Sequence, residues 1–241
     1  MTLKYSFILP TYNEKDNILD VISEIENNFE NYEIVVIDDN SPDFTWKIVK
    51  EYSEKVNNKN IRVIVPEKRL GLTESIKLGI NSVSGEIAFW FDIDGTMRPA
   101  IFKPYLDLFD RGIDMVFFSR YVGDGKDART EKLSVVLSII ISYLCRMVLS
   151  SKYKDYTSGF VGIKVDAAKK IEFGGDYGEY FIELLYKCIK SNYKIKEVPY
   201  TLNSRVKGET KTAPNFSVLF KRGLKYLYTV FNLRLNLSCK R

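Results

Sequence analysis

The chain has 241 residues, 45% of them apolar, with 36 Lys/Arg against 31 Asp/Glu and no histidine. The length fits one α/β domain with material for a sizeable core, and the missing histidine excludes Ser–His triads, histidine general bases and histidine-ligated zinc. Cys145, Cys188 and Cys239 are odd in number and widely spaced, which excludes a disulfide framework or Cys-x-x-Cys zinc site and points to a reducing cytoplasm.

No signal-peptide-like apolar run precedes the first strand, Tyr5 to Leu9, which Pro10 ends. Asn17 to Phe29 carries a helical stripe at Ile18, Val21, Ile22, Ile25 and Phe29. Glu33 to Ile37 reads as a strand running into Asp38 and Asp39. Trp46 to Val56 follows as a helix, Ile61 to Val65 as a strand and Thr73 to Val83 as a helix. Glu86 to Phe91 is a short buried strand, Phe102 to Phe109 a helix and Met115 to Phe118 a strand. This alternation predicts βαβ units, a mostly parallel sheet and a ligand site beyond the carboxyl ends of the strands.

After Arg120 the pattern changes. Tyr121 to Arg129 is a Gly- and charge-rich loop, and Lys132 to Ser150 a long apolar helix. Asp155 to Ile163 turns into a strand, Tyr180 to Ser191 is a helix and Ile195 to Tyr200 a strand. A loop from Asn203 to Pro214 leads to a basic amphipathic helix or helix pair, Asn215 to Leu235. The apolar run Leu133 to Leu149 falls short of the ~20 residues that span a bilayer; it fits a core helix or an interfacial one. From Arg205 onward nine Lys/Arg face one Glu among many Tyr, Phe and Leu, which suggests an anionic membrane or phosphate-bearing partner. No recognised nucleic-acid-binding motif accompanies the charge, so nucleic acid is not expected.

Asp92-Ile93-Asp94 carries most of the chemistry. Two carboxylates on one side at the end of a buried strand repel unless a cation lies between them, and Mg2+ or Mn2+ suits such oxygens and brings phosphate with it. A pair of solvated aspartates in a turn is the bland alternative. Pro10 to Glu14 offers an aromatic face at Tyr12 and a carboxylate at Glu14, or a polar loop capping the next helix. Asp38 and Asp39 could accept from a nucleobase or ribose, cap the following helix, or do both. Arg120, Arg205 and Lys211 are candidates for phosphate contacts, a planar fork from Arg and a mobile point charge from Lys.

Taken together, FILPTYNE, VVIDDNSPD, Arg69-Leu70-Gly71, FDIDGTMRP, FFSRY, DYTSGF, IKEVP and RVKGETK resemble, in order and spacing over residues 3–212, a family 2 glycosyltransferase. The similar branch is the dolichol-phosphate mannosyltransferase type, which includes polyprenyl-phosphate glucosyltransferases. The resemblance implies a GT-A fold over residues 1–212, with a nucleotide-sugar half (1–120) and an acceptor half (121–212), and leaves 213–241 as a basic, membrane-associated segment. It implies inverting, metal-dependent transfer of a hexose to a polyprenyl or dolichyl phosphate, with GDP-mannose favoured as donor and UDP-glucose the alternative. Pro10, Tyr12, Glu14 and Asp39 would hold the nucleoside, Asp92 and Asp94 the metal and diphosphate, and Arg120, Arg205 and Lys211 the phosphates. The expected place is the cytoplasmic face of a membrane, peripherally or through a membrane-protein partner.

One residue departs from the pattern: relatives often carry Gln two positions after the second Asp, where this chain has Thr96. Asp155 reads as structural or acceptor-orienting, because a phosphate acceptor is largely ionised at neutral pH and needs little help from a base. In a rival reading the acceptor is a hydroxyl and Asp155 the base. A non-catalytic nucleotide-sugar-binding protein is the more distant alternative. Q-x-x-R-W, typical of processive synthases, is absent.

Overall fold

The computed structural model describes residues 4–204 and 216–238. One seven-stranded sheet is built from β1 (Tyr5–Thr11), β2 (Tyr32–Asp38), β3 (Ile61–Ile64), β4 (Ile87–Trp90), β5 (Met115–Ser119), β7 (Val161–Lys164) and β8 (Ile195–Pro199), in the order β3-β2-β1-β4-β7-β5-β8. Only β7 runs antiparallel to its neighbours. A two-stranded ribbon pairs β6 (Lys126–Asp127) with β9 (Thr201–Leu202). The helices are α1 (Ile18–Asn28), α2 (Thr45–Lys55), α3 (Leu72–Ser82), α4 (Asp107–Asp110), α5 (Lys132–Val148), α6 (Val165–Ala168), α7 (Glu179–Lys190) and α8 (Phe216–Ser238).

Pro10 does not end β1. Thr11 O accepts from Asp39 N at 2.9 Å, so Thr11 faces β2 and Pro10 faces the other side, where β4 has already stopped at Trp90. No ladder bond is asked of its missing N–H, so the ring is tolerated in a central strand. The helix expected over Phe102 to Phe109 is also different. Pro99–Tyr105 forms a 3-10 helix with Pro104 inside, and α4 follows as a single turn, because proline cannot supply the α-helical bond and its ring crowds the preceding turn.

Period-two side chains divide the core between the two faces of the sheet. Phe7, Leu9, Ile34, Val36 and Phe89 meet α1 and the 3-10 helix, where the Phe89 and Phe102 rings lie 4.3 Å apart. Ile8, Val35, Ile37, Trp90 and Phe117 meet α3, α5 and α7. Two glycines allow close approach: a Cβ on Gly79 would stand 2.2 Å from Ile8, and one on Gly162 2.6 Å from the Phe89 ring.

The strand directions bring the functional segments together. The carboxyl ends of β1, β2, β4, β5 and β8 share one rim, and β7, being antiparallel, begins there. Pro10–Glu14, Asp38–Asp39, Asp92–Asp94, Arg120 and Asp155–Phe160 therefore all emerge on that edge.

Candidate active site

The β1 and β2 exits form one stitched surface. Asn13 N, Glu14 N and Lys15 N donate to Ser41 Oγ, Thr45 Oγ1 and Asp43 Oδ2 at 3.0, 3.0 and 3.2 Å. Asp38, fully buried, accepts from Thr11 Oγ1, Ser41 N and Ser41 Oγ. It shapes the turn. Asp43 holds the turn that leads into α2, accepting from Thr45 N at 3.0 Å and Thr45 Oγ1 at 2.6 Å. Burial works to raise the Asp43 pKa, yet the bonds from Thr45 and Lys15 hold it below the ordinary value.

Asp39 accepts from Leu70 N at 2.5 Å, Gly71 N at 3.0 Å and Arg69 Nε at 3.3 Å, and so anchors the loop that opens α3. Arg69 lies over the Tyr12 ring at 3.8 Å. The aromatic face expected to be open is thus covered by a guanidinium, a cation–π contact. The Arg69 side chain is 62% exposed, so its place over the ring is accessible from solvent. Glu14 is buried and accepts from Asn17 Nδ2 at 2.9 Å at the start of α1.

Asp92 lies two residues beyond β4, and Asp94 stands in the turn over residues 93–96 that follows it. The in–out alternation persists: Phe91 and Ile93 are buried, Asp92 is exposed and Asp94 half-buried. Thr96, at the position of the departure, donates from N at 3.0 Å and Oγ1 at 2.5 Å to Asp94 Oδ1. Its hydroxyl therefore orients the second carboxylate. Two accessible carboxylates beyond one strand suit a hard divalent ion. Among the described residues no three His, Cys, Asp or Glu side chains gather to hold a metal.

Arg120 was expected to contact phosphate. Its side chain is 2% exposed and engaged by carboxylates. Nε and Nη2 meet Asp155 Oδ2 and Oδ1 at 2.8 and 2.7 Å, Nη1 meets Asp127 at 3.2 Å, and Nη2 also reaches Thr157 Oγ1 at 2.5 Å. Burial disfavours this charge, but Asp155 outweighs it and raises the pKa. Asp155 is fully buried and accepts further from Arg120 N and Thr157 N. Arg205 and Lys211 lie outside the described residues.

Sequence reasoning passed over Asp127 and Arg129. Arg129 forks onto Asp127 at 2.8 and 2.7 Å and reaches Ser138 of α5 at 3.3 Å, while remaining 22% exposed. Burial works to raise the Asp127 pKa, but the Arg129 bonds and the Arg120 charge hold it low. The Asp-x-Arg spacing in a Gly-rich loop is a weak signal, legible only once Arg120 is seen beside it.

Helices α5 and α8 pack together and contain no Asp or Glu. Leu133, Val136, Ile140, Tyr143 and Met147 form an exposed row on α5, and Leu224, Tyr228, Phe231 and Leu235 one on α8. On its buried side α5 offers Ser142 Oγ to Tyr156 N at 3.2 Å, so the lipophilic helix and the Asp155 turn are joined. No helix among the described residues is long and apolar enough to cross a membrane.

A mostly parallel sheet with acidic turns on its carboxyl rim is the GT-A architecture of nucleotide-sugar transferases. The chain belongs to glycosyl transferase family 2, whose profile matches residues 6–172. It is 33% identical over 214 residues to a dolichol-phosphate mannosyltransferase of Pyrococcus furiosus, covering 87% of this chain but only 59% of that protein. It is 27% identical over 210 residues to a polyprenol monophosphomannose synthase of Mycolicibacterium smegmatis, covering 85% of this chain and 79% of the other. Glucosyl-3-phosphoglycerate synthase of Mycobacterium tuberculosis, solved with Mn2+, UDP and glucosyl-3-phosphoglycerate, matches with a TM-score of 0.71 at 19% identity, over 96% of this chain and 80% of that one. The same enzyme with Mg2+ and UDP gives 0.70 at 18% identity, over 96% and 79%. At such identities the likeness establishes the fold.

Proposed function

We propose that the chain transfers a hexose, mannose from GDP-mannose before glucose from UDP-glucose, to a polyprenyl or dolichyl phosphate at the cytoplasmic face of a membrane. The observation that carries this reading is the junction of the Arg120–Asp155–Asp127–Arg129 cluster with α5, whose outer row is apolar and exposed. A lipid phosphate needs a cation within reach of solvent and an apolar track; the two arginines and two aspartates of this cluster carry no net charge, and Arg129, 22% exposed beside α5, is the cation it offers there. The two named relatives support the same substrate class.

Asp92 and Asp94 would hold Mg2+ or Mn2+ with the donor diphosphate; when bound, the ion neutralises charge on the leaving nucleotide. Thr96 keeps Asp94 oriented for that task. Tyr12, Glu14, Asp39 and the backbone at Pro10 frame the nucleoside, with Arg69 as its cover. Arg120 positions Asp155 and Asp127, while Arg129, with Arg205 and Lys211, supplies cations for phosphate. The acceptor phosphate is its own nucleophile in a single in-line, inverting displacement. Asp155, with both oxygens engaged by hydrogen bonds, suits an acceptor that requires no base. The face of α5 and α8 rests on anionic lipid, directly or beside a membrane-protein partner.

The test is transfer of radiolabelled sugar from GDP-mannose and UDP-glucose into organic-extractable lipid, with short polyprenyl phosphate, with and without Mg2+ or Mn2+, and with Asp94→Ala as control. Metal-dependent label from one donor, lost in the variant, is expected. Absence of label from both donors, with both nucleotides bound, overturns the assignment and moves it to a hydroxyl acceptor or a non-catalytic binder.

A further inference from the structure

Tyr180 stands in the first turn of α7, 3% exposed. Its hydroxyl accepts from Trp90 Nε1 at 3.1 Å and donates to the Gly159 carbonyl at 3.4 Å. Trp90 is the last residue of β4, and Asp92 follows two positions on. Gly159, at φ +76°, lies in the turn that begins at Asp155. Trp90 also pairs with Val161 across the β4–β7 ladder. One phenol thus bridges two segments that leave the sheet side by side, one toward the Asp92 and Asp94 carboxylates and the other from the Arg120–Asp155 pair.

Both functions of the hydroxyl are used, which fixes its orientation. Burial, with the Asp92 charge acting in the same sense, raises its pKa, so it remains a donor at working pH. The start of α7, which carries Tyr180, is also held from the side of α8. Asp176 N and Tyr177 N donate to Glu179 at 2.9 and 3.2 Å. Arg222 of α8 stacks on the Tyr177 ring at 3.7 Å, and Lys225 of α8 pairs with Asp176.

We propose that Tyr180 is a positioning residue for sugar transfer: its hydroxyl sets the spacing between the carboxylates after β4 and the acceptor-side turn, and α8 steadies the start of the helix that carries it. This inference rests on the reading of the site given above.

Tyr180→Phe keeps the ring and removes only the bridge. Transfer kinetics and thermal unfolding are measured on both proteins. We expect kcat to fall about five- to tenfold, with KM for the nucleotide sugar changed less than about twofold and the melting temperature by only a few degrees. An unchanged kcat overturns the proposal, as does a loss explained by the unfolded fraction at the assay temperature. If the wild-type protein transfers no sugar, the functional reading has failed and a second measurement decides this one. In a Trp46→Phe background Trp90 is the sole tryptophan. Saturation with Mn2+ and GDP or UDP is expected to shift its emission, and Tyr180→Phe to reduce that shift. Equal responses in the two proteins overturn the proposal.

Discussion

Arg120 and Asp155 form a fork-on-fork pair at 2.8 and 2.7 Å, with side chains 2% and 0% exposed. Neither charge has water to fall back on. Asp155→Asn is expected to cost about 3–5 kcal/mol of folding stability, because it leaves a buried guanidinium with only Asp127, already shared with Arg129, as counter-charge. Urea unfolding measures this. A variant that keeps wild-type stability and loses only turnover would instead make Asp155 the base of a hydroxyl-directed reaction.

Thr96 should tune metal use. Thr96→Val removes the hydroxyl that holds Asp94 Oδ1. The Mn2+ concentration for half-maximal transfer is expected to rise about three- to tenfold, with kcat at saturating metal changed less than about twofold. An unshifted activation curve would show that the hydroxyl has no part in orienting the carboxylate.

Acid should unfold the protein through particular carboxylates. Asp127 and Glu33 are held below their ordinary values of 3.8 and 4.5. In each, burial pulls upward and is outweighed: at Asp127 by Arg129 and Arg120, at Glu33 by the Ser84 N–H, Arg62 and Ser6. The folded chain favours the charged forms. Their contribution is therefore complete above the ordinary values and is lost as pH falls through the lower folded ones. Urea unfolding between pH 7 and 3 is expected to show level stability down to about pH 5 and a decline below it. Glu33→Gln should lower stability at neutral pH and flatten the acid slope. Stability that rises on acidification would refute this account.

The α5–α8 face should bind anionic vesicles. Tyr228→Ser combined with Leu235→Ser removes two exposed apolar groups of α8 and is expected to weaken co-sedimentation about tenfold or more. Raising the salt should weaken the wild type too, because α5 and α8 carry cations without a carboxylate. Equal binding to neutral and anionic vesicles, unaffected by the substitutions, would remove the membrane from the proposed function.

Much of the fold was readable because it is periodic. The stripe at Ile18, Val21, Ile22 and Ile25 buries one face of a helix, and the continuous apolar runs ending at Asp38 and Phe91 are strands buried on both faces; local pattern encodes each. The antiparallel entry of β7 was not readable, because Val161–Lys164 is as apolar as a parallel strand and its direction depends on partners far away in sequence. Pro10 misled for a similar reason: only the early stop of β4 makes its missing N–H harmless. In the site, the acidic turns could be read from strand-end carboxylates. The burial of Arg120 could not, since an arginine bound by two aspartates and one reaching for phosphate look alike in sequence. Arg129 and Tyr180 act through partners distant in the chain and leave almost no local trace.

The position of β7 orders the assembly of the molecule in time. The strands β3, β2, β1 and β4 join through short crossovers and can close soon after residue 90 leaves the ribosome. β4 and β5 follow one another in sequence yet never touch as strands; their shared edge waits for β7, from beyond α5. Until that late segment inserts, Phe89 and Trp90 line an open sheet edge. The β3-β2-β1-β4 half of the sheet is therefore expected to acquire hydrogen-exchange protection first during refolding, and the β7-β5-β8 half to form in a slower step whose rate is set by closing the β4–β7 loop.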